Sequence, residues 1–151
     1  IQKGRIDLSQ AEHHYFQPTT LMADDVSTSA HVHLITDHQR ETYGTPLPSW
    51  LEALHGRDSI DAWVFHHAPL DIAFIRTWSE RLGLPPSKKQ VDDTLTQERA
   101  MHANEYLDSQ VQLSLNACRK RYGLPTYRQH HALSDAIATA ELFIAQKKLV
   151  S

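Results

Sequence analysis

A short apolar run followed closely by a proline places the strongest constraint on the fold. The run Asp61-Ala62-Trp63-Val64-Phe65 is aromatic and β-branched, and its length predicts a buried strand. Pro69 then stands where a helix tolerates proline best, at its beginning, and this helix is expected to end at Leu82 before Gly83. A strand that leads directly into a helix is typical of an α/β protein.

The rest of the chain alternates in the same way between strand-like and helix-like segments. We expect Ser49 and Ser114 to be the N-caps of two short helices. The further predicted elements are an antiparallel hairpin of strands near 5–8 and 14–16, helical turns and loop in 25–41, helices at 49–54, 115–122 and 133–148, a strand at 90–95 and a helical turn at 96–102. Together they predict an α/β fold in which helices flank a mixed sheet.

Composition limits the class of function. The chain has 151 residues and a formal net charge of −3, which argues against a polybasic nucleic-acid coat or a membrane-surface protein. Five glycines exclude a Gly-rich phosphate loop, and no apolar run is long enough to cross a membrane. The single cysteine, Cys118, cannot form an internal disulfide, which favours a reducing compartment, and we expect a cytoplasmic protein without a membrane partner.

Two short motifs carry the chemistry. Both read His-His-Ala-x-x-Asp, from His66 to Asp71 and from His130 to Asp135, and each stands at the start of a predicted helix. Histidine can take a proton from water, and carboxylates bind hard divalent cations, so the two motifs could together attack a phosphodiester. The alternative is that each aspartate only stabilises the first turn of its helix through the helix dipole.

The position of Asp71 on its helix bears on this choice. It shares a helical row with Ile75, Trp78 and Leu82, the row that is expected to face the core. Burying a carboxylate there would cost on the order of several kcal/mol of folding free energy, unless a cation or strong hydrogen-bond donors contacted it.

These residues resemble the DnaQ-like 3′–5′ exonucleases of the DEDDh group, the group of the proofreading subunit of bacterial DNA polymerase III. The second motif of that family, His-Asn-Ala-x-Phe-Asp, is matched by residues 66–71 with two substitutions. The third, His-x-Ala-x-x-Asp, is matched fully by residues 130–135. The segments 91–95 and 113–125 also look like family segments, in the family's order.

The resemblance implies a ribonuclease H-like fold and a two-metal mechanism with Mg²⁺ or Mn²⁺. It implies that Asp71 and Asp135 hold the metal ions and that His130 is the general base, with His66 in a supporting role. The other nine histidines are expected to be surface or loop residues: 13, 14, 31, 33, 38, 55, 67, 102 and 131. The implied partners are the 3′ ends of single-stranded DNA or RNA, and a DNA polymerase subunit.

One family motif is missing. No Asp-x-Glu pair, which the family carries on its first strand, occurs anywhere in the chain. We therefore expect residues 1–151 to form a single exonuclease-like domain that is truncated at its N-terminal end, with the first strand and its two acids upstream of Ile1. Such a chain alone should bind metal weakly and cleave poorly.

Two other functions compete with this interpretation. The first is a non-catalytic exonuclease-like domain that binds nucleic acid or a polymerase partner without cutting. The second is a histidine-rich transition-metal binder, which is disfavoured because histidines adjacent in sequence do not share one helix face.

Overall fold

The structure, a computed structural model, describes residues 1–17, 35–103 and 112–150, and these residues form an α/β fold. Within them a 3-10 turn covers Leu8–Gln10. The helices and strands are α1 (Asp37–Tyr43), α2 (Leu47–His55), β1 (Ala62–Phe65), α3 (Ala68–Arg81), β2 (Gln90–Asp93), α4 (Thr94–Met101), α5 (Leu115–Arg121) and α6 (Ala132–Val150). No helix among the described residues has the length and apolar character that crossing a membrane requires.

The sheet brings the carboxyl ends of two strands, β1 and β2, together. β1 and β2 are parallel, with Ala62 opposite Gln90 and Phe65 opposite Asp93, and α3 provides the crossover between them. Both strands therefore end at the same edge, where α3 and α4 begin. In the described part of the chain this is the one sheet, so the prediction of a mixed sheet is wrong for these residues.

The predicted N-terminal hairpin is also wrong. Residues 5–8 do not form a strand, because the Asp7 side chain accepts a hydrogen bond from the backbone N–H of Ser9 (3.0 Å) and closes the 3-10 turn. Phe16 forms a single bridge to Thr45, and that bridge is parallel. The segment at 14–16 thus pairs with a later part of the chain instead of with its sequence neighbour.

Helix boundaries follow the local capping chemistry. Ser114 is the N-cap of α5, as predicted, and its hydroxyl accepts a hydrogen bond from the N–H of Ala117 at 3.3 Å. Ser49 is not an N-cap, because α2 already begins at Leu47, with Pro48 in its first turn. Of the segment 25–41, residues 25–34 lie outside the described residues.

The core has an apolar part and a polar part. Leu47, Leu51, Trp63 and Ile75 form the apolar cluster between α2, β1 and α3. The polar part lies between α4, α5 and α6 around Glu98, whose side chain is fully buried.

Glu98 accepts three hydrogen bonds in this polar part. One carboxylate oxygen accepts from Nε of Arg121 at 2.6 Å. The other accepts from the hydroxyl of Tyr122 at 2.8 Å and from Nε2 of Gln146 at 2.9 Å. Burial alone would raise the pKa of Glu98, but these donors outweigh it and hold the pKa below its ordinary value. The carboxylate therefore joins three helices as a charged, fully paired group.

Candidate active site

All four residues singled out from the sequence line one cavity. Its volume is about 1060 Å³, and His66, Asp71, His130 and Asp135 are among its lining residues. The cavity lies beside β1, and residues from the first two turns of both motif helices, α3 and α6, line it. The fold thus brings together two motifs that are about 60 residues apart in sequence.

Asp71 lies in the first turn of α3 and is exposed, so the expectation that its whole helical row faces the core is wrong. Ile75 is buried, whereas Leu82 is exposed, and the cavity opens beside Asp71. Partial desolvation nevertheless raises the pKa of the Asp71 carboxyl. No lysine or arginine among the described residues forms an ion pair with it, which leaves its oxygens available to a cation.

Asp135 lies in the first turn of α6 and is half-buried. Its backbone N–H bonds to the carbonyl of His131 at 2.9 Å. Burial, together with the neighbouring Asp135 carboxylate, raises the pKa of Tyr127 to about 12, so this phenol stays protonated beside the acid. Tyr127 lines the same cavity.

A left-handed histidine precedes each of the two helices. His67 has φ 71° and is the N-cap of α3, while His130 has φ 61° and stands two residues before α6. Such a conformation is uncommon for a residue other than glycine. His130 is exposed and lines the cavity. Its left-handed backbone turn leads the chain into α6.

His66 is fixed at both ring nitrogens. Nε2 donates to the carbonyl of Leu113 at 3.0 Å, and Nδ1 lies 2.9 Å from the hydroxyl of Thr94. Burial lowers the pKa of His66, which favours the neutral ring. The single hydroxyl hydrogen of Thr94 lies within reach of both Nδ1 and the carbonyl of Phe65, to which the hydroxyl donates at 3.1 Å. With both nitrogens engaged, His66 ties the end of β1 to α4 and to the start of α5, which suits a supporting residue.

The remaining histidines are less uniform than expected. His13, His14, His38 and His67 are exposed, but His55, His102 and His131 are half-buried. His55, for example, bonds to the buried Ser79 hydroxyl at 2.9 Å. Residues 31 and 33 lie outside the described residues.

Asp93 was not identified as a site residue from the sequence. It stands at the end of β2, and one of its oxygens accepts hydrogen bonds from the backbone N–H of His67 (2.9 Å) and of Leu95 (3.0 Å). The other accepts from the hydroxyl of Thr96 at 3.0 Å. Although burial opposes it, this set of donors lowers the pKa of Asp93. Two signals in the sequence could have found it: Asp93 stands at the junction of a strand and a helix, and it lies in the segment 91–95 that resembles a family segment.

The donor set can be compared with what divalent metal ions require. Asp71 and Asp135 present carboxylate oxygens, the ligands that Mg²⁺ and Mn²⁺ prefer. Across residues 1–17, 35–103 and 112–150, however, no group of three or more His, Cys, Asp or Glu side chains could hold a metal ion. These residues therefore fit the metal in ligand type, and a two-metal site needs further oxygen ligands.

The candidate site thus combines two carboxylates and an exposed histidine at one cavity of an α/β fold, residue types that metal-assisted hydrolysis uses. A family model described as Exonuclease (RNase T) matches residues 1–143, and the chain belongs to this exonuclease family. The resemblance recognised from the motifs is thereby confirmed.

Part of the chain is also similar in sequence to a bacterial DNA polymerase. The DNA polymerase III PolC-type of Staphylococcus aureus is 40% identical over 82 residues, as are its counterparts in strains MW2 and USA300. The matched part is 54% of this chain and 5% of each relative. The chain thus covers only a small part of the length of these relatives.

A stability prediction arises from the left-handed turn at His67. His67→Gly should stabilise the protein by about 0.5–1 kcal/mol, because glycine adopts this conformation without strain and the His67 side chain is exposed. Urea unfolding measures the change. The matched control is His38→Gly, in the first turn of α1, where glycine relieves no strain and should destabilise by about 0.5–1 kcal/mol. A destabilised His67→Gly protein would contradict the prediction.

Proposed function

We propose that this domain is a metal-dependent 3′–5′ exonuclease of the DEDDh group that hydrolyses phosphodiester bonds from the 3′ end of DNA or RNA. The observation that carries the proposal is the convergence of Asp71, His130 and Asp135 on one cavity in a chain of the exonuclease family. The α/β fold is consistent with a ribonuclease H-like domain. The PolC-type relatives favour DNA as substrate and a DNA polymerase as partner.

Each residue has a role in this proposal. Asp71 and Asp135 would hold two Mg²⁺ or Mn²⁺ ions, which supply Lewis-acid stabilisation of the phosphate charge. His130, the exposed histidine at the cavity, takes the proton of the attacking water as general base. His66 keeps the turn before α3 in place. Phe16, Trp50, Phe65 and Phe74 line the same cavity, where aromatic side chains suit stacking against unpaired bases.

The donor set is completed, in our proposal, by a strand that carries the Asp-x-Glu pair. Among the described residues β1 pairs with β2 along one edge, and its other edge faces no strand. Val64 and Phe65 of β1 line the cavity, so a strand paired to this free edge would lie beside the cavity. A strand added there would bring two carboxylates beside Asp71 and Asp135.

A trimming assay tests the proposed function. The full-length gene product is incubated with a 5′-labelled single strand of DNA, or of RNA, with Mn²⁺ or with excess EDTA. We expect progressive shortening with Mn²⁺ and none with EDTA. Binding of the strand without any shortening would contradict the proposal and favour the non-catalytic exonuclease-like domain. Cleavage that persists in EDTA would contradict the role of the metal.

The role of His130 gives a second test. His130→Gln should lower kcat about a hundredfold, because a positioned general base contributes that much to proton transfer. The matched control is His131→Gln, whose ring bonds to the Ser134 hydroxyl at 3.3 Å and contacts the ring of His13. This neighbour should change kcat by less than about fivefold. The reverse order of effects would assign the base to His131 instead.

A further inference from the structure

The hydrogen bonds of Asp93 join the two helices that begin at the carboxyl edge of the sheet. Asp93 ends β2, yet one of its oxygens reaches across to the N–H of His67, 26 residues away in sequence. The same oxygen, together with its partner oxygen, caps α4 through Leu95 and Thr96. One carboxylate thus fastens the N-terminal turn of α3 to that of α4.

The hydrogen bond from His67 to Asp93 lies at a strained position of the backbone. His67 is in the left-handed conformation, which is strained for a residue other than glycine and persists only where its surroundings impose it. α3 has no side-chain hydrogen bond from its own N-cap residue. The capping oxygen is supplied instead by Asp93 of the neighbouring strand.

The consequence concerns Asp71, one helical turn further along α3. The direction in which α3 leaves His67 determines where the Asp71 carboxylate stands in the cavity. The residue before this turn, His66, is held by the Thr94 hydroxyl, which lies 2.9 Å from its Nδ1. Asp93 and Thr94 are adjacent, so one short segment holds both sides of the turn.

We propose that Asp93 is a positioning residue that acts through the His67 turn on the placement of Asp71. This inference rests on the proposed function and assigns a role to a residue outside its catalytic set. Misplacing a reacting group by about 1 Å can cost about a hundredfold in rate, so loss of this anchor should affect the chemical step more than substrate binding.

The test uses the full-length gene product and three variants. Asp93→Ala removes all three hydrogen bonds, and Asp93→Asn keeps an oxygen that can accept from His67. Asp93→Ser keeps an N-cap for α4 but is too short to reach His67, and it replaces the alanine variant if that protein does not fold. The control is Asp92→Ala, on the same strand, which loses contacts to Gln97 (3.1 Å) and Lys147 (3.6 Å) instead.

We expect Asp93→Ala and Asp93→Ser to lower kcat for trimming by about 10- to 100-fold, with KM changed less than about twofold. Asp93→Asn should stay within about fivefold of the wild-type kcat, and Asp92→Ala within about twofold. Equal losses in the Asp92 and Asp93 variants, or an asparagine variant as slow as alanine, would overturn the proposal.

A second readout does not depend on catalysis. Amide hydrogen exchange at His67 should speed up in Asp93→Ala and Asp93→Ser and stay slow in Asp92→Ala. Unchanged protection at His67 would overturn the proposal even if kcat falls. Failure of the proposed function is recognised separately, because the wild-type protein would then not trim while the exchange difference remained.

Discussion

Asp135→Asn should abolish trimming, with a fall in kcat of about a hundredfold or more and little change in the unfolding midpoint. Asparagine has nearly the same shape as aspartate, so the half-buried side chain still fits the first turn of α6. It loses the negative charge that a divalent cation needs, and its amide group places a donor where a ligand should be. Initial rates on a labelled single strand with saturating Mn²⁺ measure the effect.

The control for this prediction tests the alternative that Asp135 only stabilises the first turn of its helix. Asp37 also lies in the first turn of a helix, and its side chain is largely exposed beside Arg40. If Asp135 only stabilised the helix dipole, then Asp37→Asn and Asp135→Asn would have similar small effects on stability and none on trimming. An active Asp135→Asn protein would therefore remove Asp135 from the catalytic set.

Glu98→Ala should lower the free energy of unfolding by about 3–5 kcal/mol, because it removes a fully buried carboxylate that accepts hydrogen bonds from Arg121, Tyr122 and the buried Gln146. Gln146 is buried with Glu98, and Arg121 loses its bond of 2.6 Å. Chemical denaturation at neutral pH measures the loss. The matched control is Glu80→Ala, whose exposed pair with Arg76 spans 4.0 Å and should contribute no more than about 0.5 kcal/mol.

The same residue predicts how stability depends on pH. The folded pKa of Glu98 lies below its ordinary value of 4.5, so its contribution is fully present above pH 4.5. As the pH falls below 4.5 and through the folded pKa, the carboxylate is protonated and this contribution is lost. Glu98→Gln should therefore show a smaller loss of stability on acidification than the wild type. Parallel pH curves for the two proteins would contradict this assignment.

Local signals predicted the fold well where the structure depends on neighbours in sequence. Pro69 and Gly83 bracket α3, because proline and glycine act through their own backbone. Ser114 caps α5, because its hydroxyl accepts from a backbone N–H only three residues later in the chain. The apolar run before Pro69 forms β1 as expected. The hairpin prediction failed at 5–8 because Asp7 forms a local turn with Ser9, and at 14–16 because Phe16 pairs with Thr45, a contact between distant segments that no local pattern encodes.

Local signals also identified some residues of the candidate site and missed others. The repeated histidine–aspartate spacing identified His66, Asp71, His130 and Asp135, and all four line one cavity. The supporting contacts could not be predicted, because they join segments far apart in the chain. Asp93 bonds to a residue 26 positions earlier, and Gln146 bonds to one 48 positions earlier. Nothing local distinguishes these side chains from solvated ones.

The direction of digestion tests the central claim most directly. A single strand labelled only at its 3′-terminal nucleotide is mixed with the full-length gene product and Mn²⁺, and the products are followed from the first turnover. A 3′–5′ exonuclease should release the label at once as a mononucleotide, while the rest of the strand is still long. Label that remains on long fragments, or appears first on short oligonucleotides, would contradict the proposed activity.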